Sequence, residues 1–348
     1  PEIIAHKNSV DFLSFDSVQG KPDAEETTSY FSVIFAAPPL APLTTEPAFP
    51  EFNAKTVLLV GDIMLGRYVE TLMKKNDNFY PFRKIDNFLK GTDIVFGNLE
   101  GPIVENPPKF PSDSLKFAFP PAVTEALSFV KFNLFSLANN HTLDAGTAGL
   151  AKTKKFLEKT GINFVGDPIK CSEDFLFEKD NLIFLAINKT YPFNCSNEEI
   201  SRVIKSVKSA RPENFLVVSI HWGEEYSPKS SASQQELARQ MIEAGADAIF
   251  GHHPHVVQEI EIYKNKLIFY SLGNFVFDQY FSKETQEGLA VGLEIWPKKT
   301  IFRLFPIKLP LSQPLLMNHK EAGEFLKKLA KKSSTALAEK IKSGLIEN

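Results

Sequence analysis

The chain has 348 residues, a length that suits roughly two domains and can bury a core without a disulfide or metal merely to hold it together. Hydrophobic residues make up 43% and charged residues 23%, which excludes a disordered, collagenous or coiled-coil chain. The formal charge of -3 gives no overall basic field, and no basic stripe with interleaved aromatics appears, so nucleic acid is not an expected partner.

Residues 1–37 are mixed in character, with short strands readable at 12–15 and 31–35. The longest uncharged stretch, 27–45, runs into Pro38, Pro39 and Pro42 and falls short of the about 20 apolar residues that a spanning helix needs. The first residue is Pro1, so the expectation is a processed or trimmed chain from which a signal peptide or anchor has been removed. Residues 38–54 hold five prolines and read as an extended linker. The main domain is expected over 55–318, followed by a Lys-rich amphipathic helical tail over 319–348, read as one or two surface helices.

Within the main domain, β-rich runs alternate with helical patterns. Strands are expected at 56–60, 93–96, 134–137, 182–187, 215–220 and 248–250, and helices at 79–90, 122–131, 145–160, 198–210 and 232–244. Four strands then follow one another at 256–263, 267–271, 289–296 and 301–308, with a tight turn at Asn265-Lys266. Alternating units imply an α/β protein with a parallel or mixed sheet, and the later strands imply antiparallel hairpins. Cys171 and Cys195 fit neither a disulfide framework nor a CxxC metal site; one bridge or two free thiols are both open.

The chemically capable residues cluster just after the strands, where open α/β sheets build their sites. Gly61-Asp62-Ile63-Met64-Leu65-Gly66-Arg67 follows the first strand and Gly97-Asn98-Leu99-Glu100 the second. Asn140-His141-Thr142-Leu143-Asp144, His221-Trp222-Gly223-Glu224-Glu225-Tyr226, Gly251-His252-His253-Pro254-His255 and Ser271-Leu272-Gly273-Asn274 follow others. Each has a bland alternative. Asp62, Asn140 or Asp144 would serve as a helix cap, His221 as a core histidine, Asn274 as a turn cap, and Glu224 and Glu225 as solvated side chains. Their joint occurrence points instead to a metal site. Mixed carboxylate, amide oxygen and imidazole suits Zn, Mn or Fe, as one or two ions, and the absence of thiolate argues against a structural zinc site.

Taken as a set, these segments resemble the CapA family of capsule and poly-γ-glutamate synthesis proteins over about residues 55–280. That family is similar to the calcineurin-like metallophosphoesterases, which implies a metallophosphatase-like two-sheet β-sandwich flanked by helices in α-β-β-α layers. The resemblance implies Asp62, Glu100, Asn140, His221, His253 and His255 as metal ligands, with His252 as a spare. Met64 stands where that superfamily has a histidine, so one ligand is missing from one metal position. His141, oriented by Asp144, is the expected general acid, since histidine's ordinary pKa lies near 6.5. Arg67 is expected to bind an anionic substrate group, with a surface ion pair as the alternative, and Asn274 to contact substrate. The expected function is a metal-dependent hydrolase acting on a phosphoester, or on an amide of an anionic polymer. The alternative is a non-catalytic accessory protein that binds the polymer or membrane-embedded synthase subunits. The implied location is the cell envelope, at the outer face of the cytoplasmic membrane or secreted, with the cytoplasm as the other possibility.

Overall fold

The computed structural model describes residues 54–108, 114–190 and 195–348. The strands read at 12–15 and 31–35, and nearly all of the linker read over 38–54, lie outside the described residues.

Two sheets form the centre. In chain order the strands are β1 (Lys55–Ile63), β2 (Ile94–Leu99), β3 (Leu134–Ser136), β4 (Asn163–Val165), β5 (Phe177–Lys179), β6 (Leu182–Asn188), β7 (Phe215–His221), β8 (Ala248–His252), β9 (Ile260–Tyr263), β10 (Lys266–Phe269), β11 (Asn274–Val276), β12 (Glu287–Ile295), β13 (Thr300–Lys308), β14 (Leu315–Leu316) and β15 (Leu345–Glu347). The first sheet runs β14-β13-β12-β1-β2-β3-β4, with β11 pairing β1 and β15 pairing β13. Its β1 to β4 stretch is parallel, β12 pairs antiparallel with β1, and β13 pairs antiparallel with β12. The second sheet runs β5-β6-β7-β8-β10-β9, parallel through β6, β7, β8 and β10 and closed by antiparallel edges.

The period-two alternation of the strands builds the layers. Val57 and Leu59 of β1 face Phe184, Val217, Phe250 and Phe269 of the second sheet in a shared inter-sheet core. The intervening Leu58 and Val60 face outward, against α1 (Arg67–Lys75), α2 (Asp86–Leu89), α3 (Val123–Phe129) and α4 (Gly146–Lys159). On the far side, Ile183, Leu185 and Ile187 pack against α5 (Asn197–Ala210) and α6 (Ala232–Ala244). The result is the mixed α/β, α-β-β-α arrangement implied by the resemblance. Capping boxes at Ser196/Glu199 and Ser231/Gln234 set where α5 and α6 begin.

Several elements differ from the sequence expectation. The helix read at 79–90 is a 3-10 turn, Tyr80–Phe82, followed by the four-residue α2, with Pro81 in the first part. Helix α1 was not anticipated, although Val69, Leu72 and Met73 are buried at helical spacing. The strand read from Val256 begins only at Ile260. The tight turn lies one residue earlier, at Lys264-Asn265 (φ 47° and 58°), because Tyr263 pairs with Lys266 in a two-residue hairpin. The Lys-rich end is not purely a surface feature. Helix α7 (His319–Lys332) exposes Lys327, Lys328 and Lys331 but buries Ala322, Phe325, Leu326 and Leu329 in the inter-sheet core. A short helix, α8 (Ala338–Lys342), and β15 complete it.

Cys171 and Cys195 are bridged, at a sequence separation of 24, and both pack against the outer core of the second sheet. Cross-linking a loop of that size is worth about 3 kcal/mol through the unfolded chain. Cys195→Ser is therefore expected to lower the thermal midpoint of the folded protein. An unchanged midpoint would show that the bridge contributes nothing.

Candidate metal centre

The strand ends converge because β1, β2, β7 and β8 terminate at one edge of the paired sheets. Asp62 lies in register with Asn98 on one side and Asn274 on the other, and His221 lies in register with His252. Close approach of the strands depends on two glycines. A Cβ at Gly61 would lie 1.9 Å from the Gly273 carbonyl oxygen, and one at Gly251 would lie 1.9 Å from that of Tyr270.

Asp62 is fully buried. Its Oδ1 accepts from Asn98 Nδ2 at 2.8 Å and His252 Nδ1 at 3.2 Å, and its Oδ2 accepts from the His253 amide at 3.2 Å. His255 Nδ1 lies 3.3 Å from Oδ2. Burial alone would raise this carboxyl, but the hydrogen bonds from His252 and His255 prevail and hold it well below its usual value. Glu100, also fully buried, shows the opposite balance. Burial, then the neighbouring Asp62 charge, pushes its pKa well above the usual range. A cation between these carboxylates would remove that repulsion.

A chain of amides and imidazoles fixes the proton positions. Asn139 Nδ2 donates to the Leu99 carbonyl and to Asn98 Oδ1, so Asn98 turns its NH2 toward Asp62, Glu100 and His221 Nδ1. His221 Nε2 then donates to Asn140 Oδ1 at 2.8 Å, and Asn140 Nδ2 donates to His141 Nε2 at 3.1 Å. His141 Nδ1 donates to Asp144 Oδ2 at 2.9 Å, an oxygen that also accepts from the Phe117 amide at 2.7 Å. The Phe117 ring lies 4.0 Å from the His141 ring, centroid to centroid. Asn140 Oδ1 and His221 Nε2 share a proton that an ion would replace.

The residues fit a divalent metal on a further count. Glu100 Oε2, His252 Nε2 and His253 Nδ1 are buried with no hydrogen-bond partner among the described residues, whereas buried polar atoms are normally satisfied. Donor atoms of Asp62, Glu100 and His255 lie within 4.8 Å of one another, as do those of Glu225, His253 and His255. Imidazole, carboxylate and amide oxygen together suit a borderline divalent ion.

The structure thus gathers Asp62, Glu100, Asn140, His221, His253 and His255 into one cluster and sets the His141–Asp144 pair beside it. Arg67 is placed differently from expectation. Its guanidinium forms a bidentate pair with Asp278, donates to the Ser114 carbonyl at 3.0 Å and lies over Phe117. Both partners are nearly buried, so this is neither a surface pair nor a fork free for substrate. Asn274 is buried and bonded to His255, Gln279 and the Thr285 carbonyl rather than open to a ligand. Met64 is fully buried, with its sulfur accepting the Gly66 amide at 3.0 Å. Sequence reasoning missed Asn98 and Asn139, the amides that set the proton pattern, and treated His252 as a spare. The signal was present, since Asn98 sits inside one strand-end segment and Asn139 directly precedes another.

The metal-free centre has a pH signature. Burial, then His253, keeps His221 well below the imidazole range, and burial, then His255, takes His253 down to about 4. Above about pH 6.5 both imidazoles are neutral whether the chain is folded or not. Below it the unfolded chain takes up two protons that the folded chain refuses. Glu100, raised, offsets one of them, so the unfolded state binds about one more proton and stability is lost from about pH 6.5 toward 4. Chelator-treated protein is expected to melt at a lower temperature at pH 5 than at pH 6.5; equal midpoints would contradict this.

Fold and cluster define a two-sheet α/β protein with a histidine–carboxylate centre at its strand ends. A profile of the bacterial capsule synthesis protein family PGA_cap matches residues 56–279, and the chain belongs to that family. Its relatives include the capsule biosynthesis protein CapA of Bacillus anthracis, 35% identical over 256 residues, covering 67% of this chain and 62% of the relative. The PGA biosynthesis protein CapA of Bacillus subtilis (strain 168) is 32% identical over 247 residues, covering 66% and 65%. The chain therefore spans just under two thirds of the length of these two relatives. A probable polyglutamine synthesis accessory protein of Mycobacterium tuberculosis is 24% identical, covering 64% and 74%. Among solved structures, a purple acid phosphatase from yellow lupin seeds aligns over 77% of this chain and 53% of its own, with 12% identity and a TM-score of 0.35.

Proposed function

We propose that this protein is a metal-dependent hydrolase of capsule or poly-γ-glutamate synthesis, acting on an amide of an anionic polymer or on a phosphoester. The observation that carries this reading is the convergence of the six donor residues beside an oriented His–Asp pair. Asp62, Glu100, Asn140, His221, His253 and His255 would hold one or two ions of Mn, Fe or Zn. When bound, the metal supplies Lewis-acid polarisation and lowers the pKa of a water it holds. The remaining steps belong to the chain itself. Asp144 accepts from His141 Nδ1 and would stabilise the imidazolium form, in which Nε2, turned from the Asn140 amide, carries the proton for the leaving group. Phe117 packs on the ring and keeps it aimed. The names of the Bacillus relatives support the capsule and polymer context. The Cys171–Cys195 bridge supports an oxidising location in the cell envelope, outside the cytoplasm or secreted. Among the described residues no helix is long and apolar enough to cross a membrane.

A non-catalytic accessory role, binding the polymer or a membrane-embedded synthase, is the second reading. It is favoured by Met64, buried with its sulfur on the Gly66 amide where the resemblance expects a histidine ligand.

The test is to strip the protein with chelator, reload it with Mn, Fe or Zn, count bound metal, and assay γ-glutamyl oligomers and phosphodiesters. Metal-dependent release of product is expected. Retained metal and bound polymer without turnover would select the accessory reading, and no retained metal would overturn the hydrolase.

A further inference from the structure

The missing histidine at Met64 raises the question of what completes the second coordination position. Met64 itself is not the answer, since its sulfur is turned into the Gly66 amide. His255 holds the clue. Asn274 Nδ2 donates to the backbone carbonyl of Thr285 and to Gln279 Oε1, so its other atom, facing His255 Nδ1 at 3.0 Å, is the carbonyl oxygen. That nitrogen, which also faces Asp62, therefore carries the proton. The lone pair of His255 sits on Nε2, and the Nδ1–H contact to an amide oxygen and a carboxylate is the support that ligating histidines commonly receive. His255 stands at the seam of two donor groups, and its Asp62-facing nitrogen is already engaged. Its free nitrogen belongs with the other group, which contains His253 and Glu225.

His253 adds an independent indication. It is about nine-tenths buried, and its Nδ1 has no partner among the described residues. Both histidines also adopt left-handed backbone conformations, with φ of 97° at His253 and 57° at His255. Such conformations are strained for residues other than glycine and cluster at functional sites. Glu225, on the loop after β7, is the solvent-exposed member of the group.

We propose that Glu225 is a metal ligand, closing an outer, solvent-exchangeable divalent position together with His253 and His255 Nε2, while Asp62 and Glu100 hold a buried inner position. This rests on the reading of the cluster as a metal centre and adds to it a ligand that the sequence reading had taken as a solvated side chain. Two ions would then bind with unequal affinity, the outer one exchanging first.

The test uses the full chain, chelator-stripped and titrated with Mn2+ alone, with bound metal counted after gel filtration and Mn2+ affinity read by electron paramagnetic resonance. Wild-type protein is expected to bind two equivalents of unequal affinity. Glu225→Gln is expected to weaken the outer ion by at least about 10–100-fold, the range seen when even a supporting residue is lost, and to leave the inner ion unchanged. Asp62→Asn should do the reverse. Glu225 is exposed, so its substitution leaves the core intact, and a thermal melt checks this. A single wild-type equivalent that disappears in Glu225→Gln would still support the ligand. Wild-type binding that is the same in Glu225→Gln, whether one ion or two, overturns the proposal while leaving the metal centre standing. No binding by the wild type overturns both.

Discussion

Replacing Asp62 by alanine is expected to abolish the proposed inner metal position and to destabilise the fold. The carboxylate is fully buried and receives Asn98, His252 and the His253 amide, with His255 alongside. Removing it leaves His252 Nδ1 and the His253 amide without an acceptor in a buried space, while Asn98 keeps Glu100 and His255 keeps Asn274. Breaking a buried charged arrangement from one side costs about 3–5 kcal/mol. Metal affinity should fall by more than the about 10–100-fold that loss of a supporting residue causes. Asp62→Asn separates the two effects, because it keeps the volume and loses the charge. Elemental analysis and a thermal melt of both variants read the outcome. Full metal content in the alanine variant would remove Asp62 from the ligand set.

Replacing His141 by glutamine is expected to lower turnover by about 10²–10⁴, the usual contribution of a positioned general acid, with metal content unchanged. The second half of that statement carries the weight. His141 touches Asn140, a proposed ligand, through Nε2, at 3.1 Å, but offers its other nitrogen to Asp144. A variant that lost metal and rate together would make His141 a structural support for Asn140 instead. Asp144→Asn should fall between the two, since Asp144 also anchors the Phe117 amide.

Much of the fold was legible because its strands are long and apolar and its longer helices are strongly periodic. Helix α6 was read to its observed ends, and α5 to within a residue. The misses have physical causes. Strands β4, β5, β14 and β15 have two or three residues each, too short for any period to show. Val256 and Val257 look like a strand by composition, but they serve the loop that turns His253 and His255 inward. The Lys-rich end looked superficial because charge count hides the stripe of Phe325, Leu326 and Leu329. Of the candidate site, the donor residues were readable as a set, since they share a position just after strands. What could not be read was pairing at long range. Nothing near Arg67 in sequence announces Asp278, and nothing near Asn98 announces that Asn139 dictates which way its amide faces.

The place of β1 has a consequence for how the protein is made. Leu59 pairs with Phe96 on one side and with Val291 on the other, and the Asp62 amide donates to the Gly273 carbonyl. The seat of Asp62 is therefore finished only when the last third of the chain has arrived. At about 5–20 residues per second, a nascent chain waits on the order of ten seconds or more with that strand edge open. Such late, distant pairing is intrinsically slow, and an open edge invites the wrong partner. A chain truncated or stalled before β12 would carry Asp62, Glu100 and Asn140 yet have no finished seat for them, so a finished seat marks a chain made past that strand.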